Sequence, residues 1–416
     1  MTRLLLCLLA LGQPAPPALE EKLLARIPDG IELEGSPVFS PDGLAVAWVG
    51  LRGKRPHPVI GDQVLETYDY IDPPVFGPTR EHLAFRVGNR TTKKTEKWWV
   101  LQGGKRTGEN DWIGTPAWSP DGAQLAYWTN PGARVSAEGP YTGGKHVLVV
   151  NGKKGSAWEG AEALAPPVFS ADGKQVAVIA QQGGRWFVVV NGQKLTPEPL
   201  VDSVAFSPDG KQVAYAAARG GAAPGAGRGP QVGPPAMKFV VVVGKKVFGD
   251  GEDSAGSPCY APGGVLAYKA LKGGKMGVVV GDRKGPFEFD IVGRPAFSAD
   301  GRRVAYAAAT GAQVDAFGAL GPYAEAMAQG GRWFLVVDGK RGAGEFDRVD
   351  APAFAPDGKQ VACRARRGKK ALIVIGEKAG EELDDVGPPA FAPDGKRVAF
   401  GARIGRELWW KVVPVE

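Results

Sequence analysis

The sequence predicts an all-β fold of repeated four-stranded units, and three observations carry that expectation. An aromatic residue closes a short apolar run at Phe39, Phe76, Trp118, Phe169, Phe206, Tyr260, Phe297, Phe354 and Phe391, with successive spacings of 37, 42, 51, 37, 54, 37, 57 and 37. A minimal unit of that length, enlarged in some copies, lies close to the roughly 40–45 residues of a four-stranded propeller blade. Tight-turn signals punctuate each unit, as in Ser207-Pro208-Asp209-Gly210 and Asn191-Gly192. Between the turns, runs such as Val213-Ala214-Tyr215 and Val188-Val189-Val190 are β-branched, small or aromatic, which suits stacked sheets and not helical repeats.

The unit is clearest in Pro167–Lys194. A first strand, Pro167–Ser170, reaches the turn Ala171-Asp172-Gly173, and a second strand, Gln175–Ala180, follows. A Gly-Gly break leads to a third strand, Trp186–Val190, and Asn191-Gly192 opens onto a fourth. In the Pro-Asp-Gly form of the turn, Pro presets φ, Asp can bond its own backbone, and Gly takes the positive φ of a bulged hairpin. The repeated Asp is therefore read as structural. Small Ala in the second strand lets neighbouring blades approach closely.

Phe-Ser-Pro-Asp-Gly-Lys-Gln-Val-Ala-Tyr at 206–215 resembles the signature of the WD40-like (PD40, TolB-type) propeller repeats of bacterial envelope proteins. Pro-Asp-Gly or Ala-Asp-Gly stands at 41–43, 120–122, 171–173, 208–210, 299–301, 356–358 and 393–395. Gly77-Pro78-Thr79-Arg80 and Ala261-Pro262-Gly263-Gly264 lack the Asp, so those two turns are expected to be less regular between persisting strands. The resemblance covers about residues 31–416. It implies a single β-propeller and leaves the function open, because this repeat serves many unrelated proteins.

Composition agrees: 61 Gly and 35 Pro without a triplet period fit a turn-rich β protein and not collagen. Residues 1–12 read as a signal peptide, with Arg3 before an apolar run from Leu4 to Leu11 and a small-residue cleavage site at Ala10-Leu11-Gly12. Cys7 follows Leu6 and not a small residue, which argues against a lipoprotein anchor. No later apolar stretch reaches the roughly 18 residues of a membrane span. Export to the periplasm or the extracellular space is the expectation. Residues 13–30 read as a linker, Pro-rich at first, and 31–416 as the propeller.

Ile31-Glu32-Leu33-Glu34-Gly35 occupies the place held elsewhere by a fourth strand, as in Glu345-Phe346-Asp347-Arg348-Val349. The last unit ends after its third strand, Leu408–Val413. The N-terminal strand is thus expected to complete the last blade and remove the open edge of the ring. The tally is then nine blades, above the usual four to eight. Eight blades with one unit displaced, or two smaller rings, remain as alternatives.

Insertions fall almost entirely between second and third strands, at Gly88–Lys97, Asn130–Lys145, Arg219–Lys238 and Thr310–Arg332. Hairpin geometry places those connections on one rim and the Asp-Gly and Asn-Gly turns on the other. Recognition usually sits on loops carried by a rigid scaffold. The residues expected to bind a partner are Arg134, Tyr141, Arg228 and Tyr323, types the blades do not need there.

No catalytic, cofactor-binding or metal-binding set emerges from the sequence pattern. His57, His82 and His146 lie in three different units without metal-ligand spacing. There is no G-x-S-x-G nucleophile elbow, and no Gly-Lys is followed by Ser or Thr as a P-loop requires. Asp250-Gly251-Glu252-Asp253 lacks the spacing of a calcium loop and reads as surface acid at a blade edge. Cys259 and Cys363 replace apolar residues of the repeat and read as buried thiols, not a disulfide. In Trp98-Trp99 and Trp409-Trp410 adjacent rings must point to opposite faces, so core packing takes at least one of each pair. Net charge is +7, spread over every unit, with Arg364–Lys370 the one dense basic run. A nucleic-acid protein shows a basic face with interleaved aromatics; here a protein or an anionic envelope polymer is the expected partner, bound by a monomer. The leading expectation is a non-enzymatic exported scaffold. The alternative is a polysaccharide-acting lyase or glycosidase, with carboxylates from separate blades meeting at the channel mouth.

Overall fold

The computed structural model describes residues 17–92, 95–135, 141–162, 165–219, 238–313, 320–321 and 327–415. Among them the regular elements are strands, which form nine sheets of one plan and a separate two-stranded hairpin. In the eighth sheet, Arg348–Val349 and Ala353–Phe354 share the inner place and both pair with Val361–Arg367. That strand pairs with Lys370–Ile375, and the outer strand is Lys378–Ala379. The inner strand Ala353–Phe354 touches Ala296–Phe297 of the preceding sheet and Ala390–Phe391 of the next. Sheets so arranged around a common axis make a β-propeller.

The inner strand begins earlier than the sequence suggests. Phe346 bridges to Trp333 within Gln329–Val337, the third strand of sheet 7, and Arg348–Val349 already opens the inner strand of sheet 8. Glu345–Val349 therefore keeps the fourth-strand place of sheet 7 only at Phe346 and enters the inner strand of sheet 8 at Arg348. By the same logic Ile31–Gly35 does not close the ring. Its residues lead into Glu32–Phe39, the inner strand of the first sheet, paired with Val46–Arg52. Closure is made instead by Lys22–Arg26, which pairs with Glu407–Pro414, the third strand of the last sheet. The closing strand lies within the stretch that reads as linker. Residues 1–16, which hold the expected signal peptide, are outside the described residues.

The turns obey the chemistry of their residues. Ser207 Oγ donates to Asp209 Oδ1 at 2.6 Å, the Lys211 amide donates to the same oxygen at 3.1 Å, and the Gln212 amide donates to Ser207 Oγ at 2.9 Å. Gly210, at φ +69°, completes the turn in a region that disfavours a side chain. Ser40 with Asp42, Ser119 with Asp121, Ser170 with Asp172 and Ser298 with Asp300 repeat the same Ser-to-Asp bond. Where Asp is missing, the Gly77 amide donates to His82 O and the Ala261 amide to Val265 O, and the flanking strands persist. On the same rim the Asn191 carboxamide accepts the Val176 amide at 2.9 Å, fastening the third-to-fourth-strand turn to the second strand.

A third device recurs on the opposite rim. Asp111, Asp253, Asp290, Asp347 and Asp384 each accept the amide of the glycine that turns the next hairpin: Gly132, Gly273, Gly311, Gly368 and Gly405, at 2.5–2.6 Å. The core lies between sheets. Leu335 and Ala307 of sheet 7, for example, pack with Cys363, Leu372 and Val374 of sheet 8. An alanine near the start of each second strand, from Ala47 and Ala84 to Ala362 and Ala399, is fully buried. A larger residue at these places would overpack a close-packed interior.

Candidate functional site

Two regions can serve function: the rim of long hairpins and the channel lined by inner strands. On the rim, the ladder of sheet 2 runs to Thr92 opposite Thr95, and that of sheet 7 to Gln313 opposite Gln329. The minimal sheets turn sooner, at Gln182–Arg185, Lys272–Lys275 and Arg367–Lys370. In sheet 3 the insertion forms its own hairpin, Arg134–Val135 against Tyr141–Thr142. Arg134 is exposed on it, and Tyr141 stands in the opposing strand. The base is fixed by the Gly132 amide on Asp111 and by Asn130 Nδ2 donating to Gly143 O at 3.2 Å. Arg134 and Tyr141 thus stand on opposing strands of one hairpin, paired with Thr142 and Val135 respectively. Arg228 and Tyr323 lie outside the described residues.

The three histidines stay apart, in sheets 1, 2 and 3. His57 Nδ1 meets Leu65 O at 2.9 Å, His82 Nδ1 meets Thr79 Oγ1 at 2.8 Å, and burial lowers the pKa of His146 between Trp112 and Trp128. No group of three potential metal ligands occurs among the described residues. Glu252, read from sequence as surface acid, is in fact buried and pairs with Lys284 Nζ at 2.5 Å. Cys259 and Cys363 are free and buried, and burial raises the thiols to about 11 and about 12. Trp98 and Trp410 are core residues while Trp99 and Trp409 are half-buried, as adjacent positions on a strand require.

The channel holds a site the sequence did not single out. A cleft of about 640 Å³ is lined by residues of sheets 4, 5 and 6 together with Trp128 of sheet 3 and Arg294 of sheet 7. Its walls carry two carboxyls, Glu162 and Asp202, and two bases, Lys269 and Arg294. Both acids stand where the inner strand departs from its regular ladder. Val201 pairs with Ala217 and Ser203 with Ala216, so Asp202 is the extra residue of a bulge. Glu162 directly follows the pair Ala161–Ala180. Bulges re-aim side chains, and they gather near active sites.

What faces these acids separates them from their counterparts elsewhere in the ring. The Asp72 amide donates to Arg86 O, the Asp350 amide to Arg364 O, and the Glu162 amide to Ile179 O, so the three acids share one position of the repeat. Asp72 pairs with Arg86 at 2.6 Å and Asp350 with Arg364 at 3.5 Å. Opposite Glu162 stands Ile179, and opposite the Asp202 bulge stand Ala216 and Ala217. Neither acid forms a salt bridge among the described residues. Burial holds both carboxyls above the usual range; Glu162 is raised further by Asp202, and the charge of Lys269 opposes part of the rise at Asp202.

Two hydroxyls on the same walls lack partners. Ser203 is 8% exposed, and its Oγ, near enough to the Asp202 carboxyl to lower it somewhat, reaches no partner at hydrogen-bonding geometry. Tyr260 Oη is buried without a partner. Ser257, at φ +46°, sits in the left-handed region and donates its Oγ to Leu320 O at 2.7 Å. Lys269 is wholly buried, with Nζ 3.4 Å from Gly321 O. The long insertion of sheet 7 therefore reaches back onto the inner strand of sheet 6. Aligning the repeats by register, and asking which acids lack an opposing arginine, is the signal that would have found this cleft.

No family model matches the chain, and no curated protein does. Solved structures are similar in fold. A eukaryotic initiation factor structure is 12% identical at a TM-score of 0.45, over 85% of this chain and 88% of that one. The Dos1 propeller is 11% identical at 0.41, over 94% of each chain. The β-propeller domain of the trilobed protease from Pyrococcus furiosus is 11% identical at 0.40, over 75% of this chain and 96% of that one. At these identities and scores nothing of activity or partner carries over. The chain is a β-propeller, and no helix among the described residues is long and apolar enough to cross a membrane.

Proposed function

We propose that this chain is an exported, non-enzymatic propeller scaffold of the TolB-type repeat class, binding a protein or an anionic envelope polymer through its loop-rich rim. It acts as a monomer in the periplasm or outside the cell. The observation that carries the reading is the one-sided extension of the hairpins: the ladders of sheets 2 and 7 and the Arg134–Thr142 hairpin project from one rim, while the other rim is held by short Ser-Asp and Asn-Gly turns. Lengthening a hairpin costs little stability, about 0.6 kcal/mol per doubling of a flexible loop, so such loops are free to carry recognition. The test replaces Asn130–Lys145, Arg219–Lys238 and Thr310–Arg332 in turn with Asn-Gly turns and measures retention on dextran sulfate, a model anionic polymer. Retention falls while the fold persists. Unchanged retention, with loss in Lys174→Ala and Lys211→Ala on the opposite rim, assigns the wrong face. Mass determination of the secreted chain tests export, through loss of residues 1–12.

A second reading is favoured by one observation. Two carboxyls held above the usual range in a channel cleft, Glu162 and Asp202, are the groups a glycosidase or a lyase acting on a polysaccharide needs for general acid and base. Release of reducing ends from a polysaccharide panel, abolished by Glu162→Gln and Asp202→Asn, supports it. Equal release by the variants removes it.

A further inference from the structure

We propose that a groove between sheets 1 and 2, on the loop-rich rim, binds a carboxylate-bearing glycan, with Lys54 and Arg55 on its anions and Asp69 and Asn89 on its hydroxyls. The inference rests on the rim reading above, and it names where on that rim the polymer is held and by which chemistry.

The repeat shows what sheet 1 lacks. In sheets 2, 7 and 8 the passage to the next sheet bridges the third strand at Asn110, Phe346 and Leu383, and a glutamate stands one residue before each. Those glutamates hold rim cations: Glu109 pairs with Lys97 at 3.1 Å, Glu345 with Arg332 at 2.9 Å and Glu382 with Arg367 at 2.9 Å. In sheet 1 the Tyr68 amide donates to Pro56 O, so Tyr68 takes the bridging place and Thr67 the place of the glutamate. Thr67 Oγ1 donates to Pro56 O at 2.9 Å and brings no charge. The aspartate that follows the bridge pairs with a rim lysine elsewhere: Asp111 with Lys97, Asp290 with Lys275 and Asp384 with Lys370, at 2.6–2.8 Å. Its counterpart Asp69 accepts the Arg90 amide through Oδ2 at 2.8 Å and forms no ion pair with sheet 1 among the described residues.

The cations of this hairpin are therefore left without acids. Arg52 and Arg55 face each other across the ladder with Lys54 in the turn, and all three are exposed without an ion pair among the described residues. Like charges directly opposite each other repel. Lys272 opposite Lys275 and Arg367 opposite Lys370 repeat the arrangement, but there the acids just named relieve it. Beside Lys54 and Arg55 opens a groove of about 460 Å³, completed by Asp69, Asn89 and Arg90. That size lies within the range of small-ligand sites. Arg90 is already engaged by Tyr70 Oη and Glu96, so the hairpin of sheet 1 supplies the free positive charge.

The other walls choose among anions. Asn89 accepts the Asp69 amide through Oδ1 at 2.9 Å, which leaves its Nδ2 to donate. Asp69 keeps Oδ1 to accept. A chain of anions alone, such as polyphosphate, is repelled by Asp69 and gives it no hydrogen bond. A uronate sugar offers a carboxylate, which a guanidinium binds through two parallel bonds, and hydroxyls that suit Asp69 and Asn89. Tyr68, the ring on these walls, is buried, so no base can stack there as in a single-stranded nucleic-acid site.

The test is isothermal titration of the full chain, at low ionic strength, with hexagalacturonate, cellohexaose, linear polyphosphate and hexaglutamate. Hexagalacturonate binds at a single site and cellohexaose does not. Arg52→Gln together with Arg55→Gln weakens it about tenfold or more, as the loss of charge-assisted bonds does. Lys153→Gln together with Lys154→Gln removes the same charge from exposed positions on the opposite rim and binds as the parent. Thr67→Glu restores the acid of the repeat and abolishes binding, with the melting temperature showing that the chain folds. Absence of heat with hexagalacturonate at millimolar concentration overturns the proposal. So does equal loss in the two double variants, tighter binding of polyphosphate or hexaglutamate, or parental affinity in Thr67→Glu. Loss of dextran sulfate retention on loop replacement, beside parental binding in the Arg52→Gln, Arg55→Gln chain, leaves the rim reading standing and overturns this site. Loss in that chain while all three loop replacements keep retention supports this site and removes the insertions from the rim reading.

Discussion

Arg26 and Glu407 meet at the outer edge of the last sheet, Nη2 to Oε1 at 2.9 Å, although 381 positions separate them in the chain. Around them the Ile27 amide donates to Arg406 O at 2.8 Å, Trp410 Nε1 donates to Ala18 O at 2.7 Å, and Ala25 and Ile27 are buried. The ion pair itself is exposed, with 70% of the Arg26 side chain in solvent, so it adds little. The strand adds backbone bonds and buried area and covers an edge. Arg26→Ala is expected to leave the melting temperature within about 1 °C. Deleting 17–26 is expected to lower stability by on the order of 5 kcal/mol and to make the chain self-associate through the bared strand Glu407–Pro414. Calorimetry and sedimentation check both, and a truncated chain that melts with the parent as a monomer contradicts closure by this strand.

Neighbouring sheets are also stitched turn to turn. Gln175 Nε2 donates to Gly210 O at 2.8 Å, Gln124 Nε2 to Gly173 O at 2.8 Å, and Arg303 Nη1 to Gly358 O at 2.8 Å. Each bond crosses from one sheet to the next. Gln175→Ala is expected to cost about 1 kcal/mol in urea unfolding, the usual net worth of one such bond. The double variant with Gln124→Ala is expected to cost the sum within about 0.5 kcal/mol, because the two bonds have no shared partner. A cost near zero for either assigns the stitching to packing alone.

The fold was legible because its signals are local. A Ser-Pro-Asp-Gly turn carries its own bonds, from Ser207 to Asp209 and on to Lys211 and Gln212, within six residues. The closing strand was not legible: Lys-Leu-Leu-Ala-Arg at 22–26 shows no alternation, and its partner lies at the far end of the chain. The inner strand was half seen, since an irregular step such as Gly293–Pro295 divides Ile291–Val292 from Ala296–Phe297 and hides the first half. At the rim, the lengthened hairpins could be foreseen because insertion length is visible in spacing. Glu162 and Asp202 could not, because their character depends on Ile179 and Ala216 opposite, where other sheets place Arg86 and Arg364.

The turn aspartates give a test by titration. The Ser207 hydroxyl first, and then the Lys211 amide, hold the Asp209 carboxyl below its usual range. A carboxyl whose folded pKa lies below its unfolded value adds stability above the unfolded pKa and loses it as pH falls through the folded one. Ser207→Ala is expected to raise Asp209 toward the ordinary value of about 3.9, followed by carboxyl carbon NMR. An unmoved Asp209 shifts the cause to the backbone amide.

Burial fixes the behaviour of the two thiols. With Cys259 raised to about 11 and Cys363 to about 12, almost no thiolate exists at pH 8 in the folded chain. A disulfide reagent at that pH is expected to find no reactive thiol before denaturation. In guanidinium it finds two if residues 1–12 have been removed, and three if Cys7 is retained. Rapid reaction of Cys259 in the native chain would place that thiol in the open cleft and not behind its wall.

Glu162 and Asp202 reverse the usual carboxylate rule, and that reversal is measurable. Burial raises both in the folded chain, so the folded state binds their protons more tightly than the unfolded one. Stability they contribute is therefore complete below the unfolded carboxylate pKa and is lost as pH rises through the raised folded values. At neutral pH each ionised carboxylate destabilises the ring, because its charge stays in the cleft wall without the arginine that faces Asp72 or Asp350. Glu162→Gln and Asp202→Asn are expected to raise the melting temperature at pH 7 by about 1–3 °C, and the gain should vanish below about pH 4. The turn variant Ser207→Ala moves oppositely: the part of its cost that runs through Asp209 fades at acid pH, where that carboxyl is protonated in both chains, and the part from the lost Gln212 amide bond stays. If the cleft variants are destabilised at neutral pH, the two carboxylates are paired in solution and the account of an unneutralised cleft is wrong. If they are stabilised yet lose the release of reducing ends, the acids are kept at a cost in stability for catalysis.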